Sequence, residues 1–189
     1  MMQSEGALVA TTARATIDDL YDVPGKAELV GGRIVTMPPT GFMPSYAALV
    51  IATNLLEYQR RIGAGIAVGD GAGFRVSLPN RESFSPDAAW YTGPRTGMKF
   101  FEGAPAFAAE VRSEGDYGPA AEAALRQKRA DYFAAGTVVV WDVDLLSEDL
   151  VRSYHADDAD HPVTYGRGEI ADAEPAVPGW RLTVDDLVE

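Results

Sequence analysis

The segment 104–111 constrains the fold more than any other part of the chain, because it is apolar along nearly its whole length. It reads Ala-Pro-Ala-Phe-Ala-Ala-Glu-Val, and its one charged residue, Glu110, lies near its end. An unbroken apolar run of this kind indicates a central strand that is covered on both faces. We therefore predict an α/β fold. The segment 137–141, which is rich in β-branched residues, predicts a further strong strand.

Local signals predict the other elements. Thr16 begins a short capped helix over 16–21, and Gly31-Gly32 predicts a two-residue hairpin turn between strands at 28–30 and 33–37. Longer helices are predicted over 45–62 and over 119–135, the second with Pro119 in its first turn. Further strands are expected near 65–68, 73–78, 87–91 and 150–155, and the acidic segment 156–175 is expected to loop across the surface.

Lys128 stands out in the second long helix because it interrupts an apolar stripe. At helical spacing the stripe contains five other residues, all apolar or aromatic, whereas the other charges lie on the opposite side. The chain has three lysines and thirteen arginines, so its usual cation is arginine. A lysine in this position either snorkels to water along the stripe or serves a site. The members of the stripe are Ala121, Ala124, Leu125, Lys128, Tyr132 and Ala135.

Two acidic residues lie at the edges of apolar strands. Asp87 begins the run 86–91, and Glu110 lies near the carboxyl end of its strand, where open α/β sheets usually bind ligands. If the two strands pair, these carboxylates can share one cation. The structural alternatives are a turn residue after Pro86 and a capped or salt-bridged strand end. Two acids and a nearby lysine are the groups that metal-dependent phosphodiester cleavage needs.

Several short motifs occur along the chain in a characteristic order. They are Glu28-Leu29-Val30-x-Gly32, Ser85-Pro86-Asp87, Glu102-Gly103-Ala104-Pro105, Glu110-Val111-x-Ser113, Lys128-x3-Tyr132-x3-Gly136, Val140-Trp141-x2-Asp144 and Pro178-Gly179-Trp180-Arg181-Leu182. In order and spacing they resemble the Uma-type endonucleases of the PD-(D/E)XK restriction-endonuclease-like superfamily. The resemblance extends from about Thr16 to Leu187.

The resemblance implies a restriction-endonuclease-like fold, with a central mixed β-sheet flanked by helices and an N-terminal β-hairpin and helix. It implies a site for Mg²⁺ or Mn²⁺ held by Asp87, Glu110 and the main-chain carbonyl of Val111. Lys128 would replace the lysine that most of the superfamily carries two residues after the glutamate. Glu28 matches an acidic catalytic residue near the N terminus, although its neighbourhood also permits an ordinary exposed strand glutamate.

The implied activity is hydrolysis of phosphodiester bonds, with DNA as the substrate, by metal-activated water. A homodimer is expected by the same resemblance, since related nucleases pair to cut both strands. Among the departures from the family pattern, two lie close to the presumed metal. Arg112 occupies the position of the superfamily lysine and cannot act as a base, and Glu114 adds an anion close by. These departures leave open a second hypothesis, a weakly active or inactive interaction or regulatory module on the same fold.

Composition sets the outer limits. At 189 residues and 47% hydrophobic content, the chain can bury a sizeable core, and we expect one domain over 16–189 after a flexible tail over 1–15. The absence of cysteine excludes disulfides and thiolate chemistry, and no apolar run is long enough to span a membrane. A cytoplasmic protein without membrane contact is therefore expected.

The net charge of −12 argues against tight non-specific binding to duplex DNA. The acidity is concentrated in residues 142–189, which hold thirteen acidic and three basic residues. The preceding part is nearly neutral and leaves six arginines available for phosphates. For most of them a solvated surface position is the alternative that we favour. These arginines are Arg60, Arg61, Arg75, Arg81, Arg95 and Arg112.

Other chemistries have weak support. The segment 69–73 (Gly-Asp-Gly-Ala-Gly) lacks the lysine and helix of a phosphate-binding loop and is better explained by a β-turn. The two histidines, His155 and His161, lie in the acidic, loop-like region and are expected to be solvated. The tryptophans at positions 90, 141 and 180 are expected in the core.

Overall fold

The computed structural model describes residues 14–188, so most of the predicted tail, residues 1–13, lies outside the described part of the chain. The α-helices are α1 (Ile17–Tyr21), α2 (Phe42–Ile62) and α3 (Pro119–Ala134), and a 3₁₀ helix covers Val184–Leu187. The strands are β1 (Ala27–Val30), β2 (Arg33–Thr36), β3 (Ile66–Gly69), β4 (Phe74–Leu78), β5 (Arg81–Phe84), β6 (Ala88–Tyr91), β7 (Phe101–Glu102), β8 (Phe107–Val111), β9 (Val139–Val143), β10 (Val151–His155), β11 (Asp158–Tyr165), β12 (Ile170–Asp172) and β13 (Arg181–Thr183).

A six-stranded mixed sheet forms the centre of the fold, with strand order β11-β10-β9-β8-β6-β3. β8 and β9 are parallel, and α3 makes the crossover between them, because parallel neighbours need a long connection. The other neighbouring pairs are antiparallel. The prediction of an α/β fold with a central mixed sheet flanked by helices is therefore confirmed.

The alternation of side chains along the central strands gives the sheet two apolar faces. On one face Trp90, Phe107 and Trp141 pack with residues of α2 and with the C-terminal Trp180. On the other face the neighbouring positions of the same strands pack with Tyr132 of α3 and with aromatic residues of a small sheet, β5-β4-β7. Because both faces are covered, the run 104–111 can be apolar throughout.

The predicted N-terminal helix and hairpin are both present. Thr16 caps α1 with its side chain, and a reciprocal contact from Asp19 completes a capping box. β1 and β2 pair around Gly31 and Gly32, whose φ angles are +59° and +75°. Two successive residues at positive φ define a hairpin turn that glycine adopts without steric cost. The hairpin places β1 against β5, where Leu29 N–H donates to Ser83 Oγ at 2.7 Å.

The expectation that residues 156–175 form a surface loop is wrong, because this segment contains β11 and β12. β11 is an exposed edge strand that pairs only with β10 in the central sheet. An edge strand needs backbone pairing rather than an apolar face. The polar sequence of β11 and its proline therefore gave no strand signal. His161 is exposed on β11 as expected, whereas His155 is partly buried at the end of β10.

The remaining expectations about the interior hold. The tryptophans at positions 90, 141 and 180 are all buried, and the segment 69–73 contains the turn between β3 and β4. α2 begins at Phe42, three residues earlier than predicted, because Pro44 lies in its first turn, where a missing N–H is tolerated. Within residues 14–188, no helix has both the length and the apolar content that crossing a bilayer requires.

Candidate metal and active site

Strand pairing brings Asp87 and Glu110 to the same end of the central sheet. β6 and β8 pair antiparallel with Ala88 opposite Ala109, so Asp87 just precedes this pair and Glu110 just follows it. The backbone N–H of Asp87 donates to the carbonyl of Ala109, and Asp87 Oδ2 accepts the N–H of Val111 at 2.7 Å. The Asp87 carboxylate is therefore fixed beside Val111, and only its Oδ1 faces away from that backbone contact.

Lys128 reaches from α3 to the sheet and joins two carboxylates. Its Nζ lies 2.8 Å from Glu110 Oε2 and 2.9 Å from Glu28 Oε1. The other oxygen of Glu110 accepts a hydrogen bond from the Tyr132 hydroxyl at 2.6 Å. Lys128 and Tyr132 lie four residues apart on the stripe that the sequence identified, so one helix face supplies both donors. The stripe lysine thus binds two acids rather than snorkelling to water.

The protonation of this group follows from burial and from the neighbouring charges. Burial disfavours the charge of Lys128, but Glu110 and Glu28 outweigh it and raise the pKa of the ammonium above its ordinary value. Burial raises the pKa of the Glu110 carboxyl. The positive charge of Lys128 offsets part of this rise, and the negative charges of Asp87 and Glu28 add to it. At neutral pH Lys128 is therefore a cation, suited to stabilising negative charge rather than to abstracting a proton.

Glu28 is buried at 4% exposure, so the alternative of an exposed strand glutamate is wrong. Besides Lys128, it accepts hydrogen bonds from Arg81 Nη1 at 2.6 Å and from the backbone N–H of Ser85 at 2.9 Å. Arg81 in turn binds Asp131 of α3 through Nε at 2.9 Å. Charges of alternating sign, each with a partner, therefore connect β5, β1 and α3.

A second lysine, Lys26, forms an ion pair with Asp87. Its Nζ lies 2.5 Å from Asp87 Oδ1 and 2.6 Å from Asp70 Oδ1. Burial disfavours its charge, but Asp87 and Glu110 outweigh burial and raise the pKa of the ammonium. Sequence reasoning missed Lys26. The scarcity of lysine that singled out Lys128 applies equally to Lys26, which immediately precedes β1.

A cleft of about 260 Å³ opens beside Asp87. One wall consists of the first turns of α2, including Ser45 and Ala48, and the other includes Asp70, Asp87 and Val111. Lys128, by contrast, lines a space of only about 10 Å³, which is room for roughly one water. Asp87 is therefore open to a ligand, whereas Lys128 borders only the small space.

Arg112 does not face a ligand, so the expectation that it is available for phosphates is wrong. Its guanidinium is buried and binds both oxygens of Asp142, with Nε at 2.7 Å and Nη2 at 2.8 Å. Nη1 also pairs with Glu122 in the first turn of α3. Arg112 therefore ties this helix to β9, and Arg81 is likewise buried and paired. The other four arginines of that set, Arg60, Arg61, Arg75 and Arg95, are exposed.

The donors at this site are all oxygens, which suits Mg²⁺ or Mn²⁺. Within residues 14–188, no three histidine, aspartate or glutamate side chains form a group that could hold a metal. The fit therefore depends on the two carboxylates of Asp87 and Glu110 with a main-chain oxygen. Mg²⁺ commonly takes one or two carboxylates and keeps several waters, so this smaller donor set is compatible with it.

Comparison with known proteins identifies the family. The family model described as "Uma2: Putative restriction endonuclease" matches residues 17–185, which is most of the chain. The crystal structure of "a putative nuclease belonging to DUF820" from Anabaena variabilis superposes with a TM-score of 0.71 at 15% identity, covering 91% of this chain and 96% of that one. A search of curated proteins gives no match. The structural similarity establishes the fold, and the family match establishes membership: the chain belongs to the Uma2 family and has a restriction-endonuclease-like fold.

Proposed function

We propose that this protein is a divalent-metal-dependent nuclease that hydrolyses phosphodiester bonds, with DNA as the substrate. The observation that carries the proposal is the convergence of Glu28, Asp87 and Glu110 with two lysines at one end of the central sheet, beside an open cleft. Membership of a family described as restriction endonucleases supports it. The arrangement combines carboxylates for a cation with fixed positive charge close by.

Asp87, Glu110 and the carbonyl of Val111 would hold the metal. When bound, Mg²⁺ or Mn²⁺ supplies Lewis acidity that lowers the pKa of water and neutralises phosphate charge. Lys128 keeps Glu110 oriented and supplies fixed positive charge. Tyr132 donates to the second oxygen of Glu110, which restricts how that carboxylate can turn. In the reaction a water oxygen forms a bond to phosphorus, one ester P–O bond breaks, and the departing oxygen ends as a hydroxyl.

Glu28 acts in this scheme as a positioning residue. It contacts Lys128, Arg81 and the backbone of Ser85, and all of these contacts are within the protein. Ser85 lies two residues before Asp87. Glu28 therefore fixes both the backbone that leads to Asp87 and the ammonium of Lys128. This role differs from direct contact with the metal, which the family resemblance also allows.

A second candidate function is a non-catalytic interaction module. The observation that favours it is the closed set of ion pairs: Asp87 is paired with Lys26, and Glu110 with Lys128, so each acid already has a cationic partner. A buried charge network of this kind also stabilises a fold without chemistry. The acidic C-terminal segment, residues 142–189, weakens attraction to nucleic acid and points the same way.

Calorimetric titration with Mn²⁺ distinguishes the two candidates. We expect wild-type protein to bind Mn²⁺ and to cleave at least one member of a panel of duplex DNA, single-stranded DNA and RNA. Asp87→Asn, which keeps an oxygen for the Val111 N–H, should remove both binding and cleavage while circular dichroism stays unchanged. Glu114→Gln is the matched control, because Glu114 is an exposed carboxylate nearby.

Two results would count against the nuclease. Folded wild-type protein that neither binds Mn²⁺ nor cleaves any substrate in its presence would favour the interaction module. Cleavage that persists undiminished in Asp87→Asn would show that a different group, or a contaminating nuclease, does the chemistry.

A further inference from the structure

We propose that Lys26 is a second working lysine of this site and exchanges partners during the reaction. In the metal-free chain its ammonium occupies Asp87, a divalent cation displaces it, and the released ammonium then binds an anionic oxygen of the phosphodiester in the cleft. The inference rests on the proposed nuclease function and extends it, because it adds a substrate-contacting residue that the sequence motifs do not include.

The two oxygens of Asp87 have different partners. Oδ2 accepts the backbone N–H of Val111 at 2.7 Å, so it is engaged in the strand pairing. Oδ1 is the oxygen left for a cation, and Lys26 Nζ occupies it at 2.5 Å. A divalent cation bound to Oδ1 would lie close to the Lys26 ammonium and repel it, which favours displacement of Lys26. Metal and ammonium compete for the same atom.

Displacement leaves Lys26 at the cleft because its other partner lines the same cleft. Asp70 Oδ1 lies 2.6 Å from Nζ, and both Asp70 and Asp87 belong to the cleft wall. The Lys26 side chain is 18% exposed and Asp70 is 52% exposed, so the ammonium is held at the surface of the site rather than within the core. Its flexible four-carbon stem allows it to shift by a few ångströms without movement of the backbone.

The charge of the cleft explains why a phosphate needs this ammonium. Among the described residues, its lining includes two aspartates and no lysine or arginine. An incoming phosphodiester would meet net negative charge unless cations offset it. Lys128 is poorly placed for this, because it is held by two glutamates and borders a space of about one water. Lys26, whose carboxylate partners both line the cleft, is much better placed to meet a phosphate.

The first test is metal binding to the Lys26→Gln variant, measured by titration calorimetry with Mn²⁺. Because the variant removes the competing ammonium, its affinity for Mn²⁺ should rise about fivefold over wild type. The gain in unfolding temperature caused by Mn²⁺ should increase as well. Lys99→Gln removes an exposed lysine whose ammonium lies over the Tyr21 ring; it is the matched control and should bind Mn²⁺ like wild type.

The second test is cleavage of the same substrate at saturating Mn²⁺. Lys26→Gln should lower kcat about 100-fold, as expected when one group that stabilises charge in the transition state is removed. Tighter metal binding combined with slower cleavage is diagnostic, because general structural damage would lower both the affinity for Mn²⁺ and the cleavage rate. Lys99→Gln should cleave within about twofold of wild type.

A chemical rescue keeps the proposal testable if Lys26→Gln folds poorly. The chain has no cysteine, so Lys26→Cys introduces a unique thiol. Alkylation of that thiol with 2-bromoethylamine forms a C–S bond, releases bromide and restores an ammonium at nearly the length of lysine. The unmodified variant should bind Mn²⁺ more tightly and cleave slowly, and alkylation should reverse both effects in the same protein.

The outcomes separate this inference from the proposed function. If wild type fails to bind Mn²⁺ and to cleave, the nuclease function fails and the inference fails with it. If wild type binds and cleaves, but Lys26→Gln binds Mn²⁺ no more tightly than wild type, the exchange is overturned while the nuclease stands. If Lys26→Gln cleaves at the wild-type rate, the phosphate contact is overturned.

Discussion

Replacing Lys128 by methionine tests whether its two glutamates depend on the ammonium. Glu28 Oε1 and Glu110 Oε2 each lie within 3 Å of Nζ, so the two oxygens are at most about 6 Å apart. Two negative charges at that separation repel by about 3 kcal/mol at an effective dielectric constant of about 20. This agrees with the cost of roughly 3–5 kcal/mol for removing one partner of a buried ion pair.

We therefore expect Lys128→Met to lower the free energy of unfolding by about 3 kcal/mol at pH 7 without metal. For a chain of this size the unfolding temperature should fall by roughly 6–12 °C. Urea unfolding followed by circular dichroism measures the loss. Arg126→Met is the matched control, since Arg126 is exposed on the same helix and its replacement should cost under about 0.5 kcal/mol.

The pH dependence of the Lys128→Met loss identifies its cause. Without the ammonium, the pKa of the folded Glu110 carboxyl, which burial already raises, rises further. The stability gap from wild type is then present in full above that further raised pKa and fades as the pH falls below the pKa that Glu110 has in the wild-type protein. A loss that is equally large at pH 4 and pH 7, or one below about 1 kcal/mol at pH 7, would refute the reasoning, because lost packing rather than charge repulsion would then explain it.

The remaining predictions concern the ion pairs that fix α3. Arg112→Met should lower the free energy of unfolding by about 3–5 kcal/mol, because buried Asp142 loses both hydrogen bonds from Arg112 and keeps an ion pair with Arg129 at the longer distance of 3.8 Å; a loss under about 1 kcal/mol in urea unfolding would contradict this. Burial works against the charge of Asp131, but hydrogen bonds led by that from Arg81 outweigh it and lower the pKa of this carboxyl. The stabilisation is therefore present above the unfolded pKa and is lost as pH falls through the lower folded pKa, so the stability gap between wild type and Asp131→Asn should shrink below about pH 4. A gap that stays constant from pH 7 to pH 3 would exclude this explanation.

The sequence predicted those parts of the site that leave a periodic signal. Lys128 interrupts an apolar stripe at helical spacing, and Glu110 interrupts an apolar strand, so each is visible against its neighbours. The structure brings both together with Asp87 at paired strands, as anticipated. Whether these residues hold a metal stays a prediction, and so do the homodimer and the cytoplasmic location.

The cationic partners left no such signal. Lys26 precedes a short strand, and Arg81 follows a turn, so both resemble ordinary surface cations in the sequence. Arg112 was expected to be available for phosphates or solvated at the surface, yet it is buried against Asp142. Which anion a long, flexible cation meets depends on contacts between residues far apart in the chain, and local patterns do not record such contacts.

The sequence by itself therefore determined the α/β architecture and the hairpin turn at Gly31-Gly32, and it singled out the acids and helix lysine of the candidate site, because periodicity and turn chemistry act over a few residues. Only the tertiary structure decided that Glu28 is buried, that Lys26 occupies Asp87 and that the cleft opens on that acid rather than on Lys128. The physical reason is that burial and charge pairing are set by the packing of β1, β5 and α3 against one another. Those elements meet only once the chain has folded.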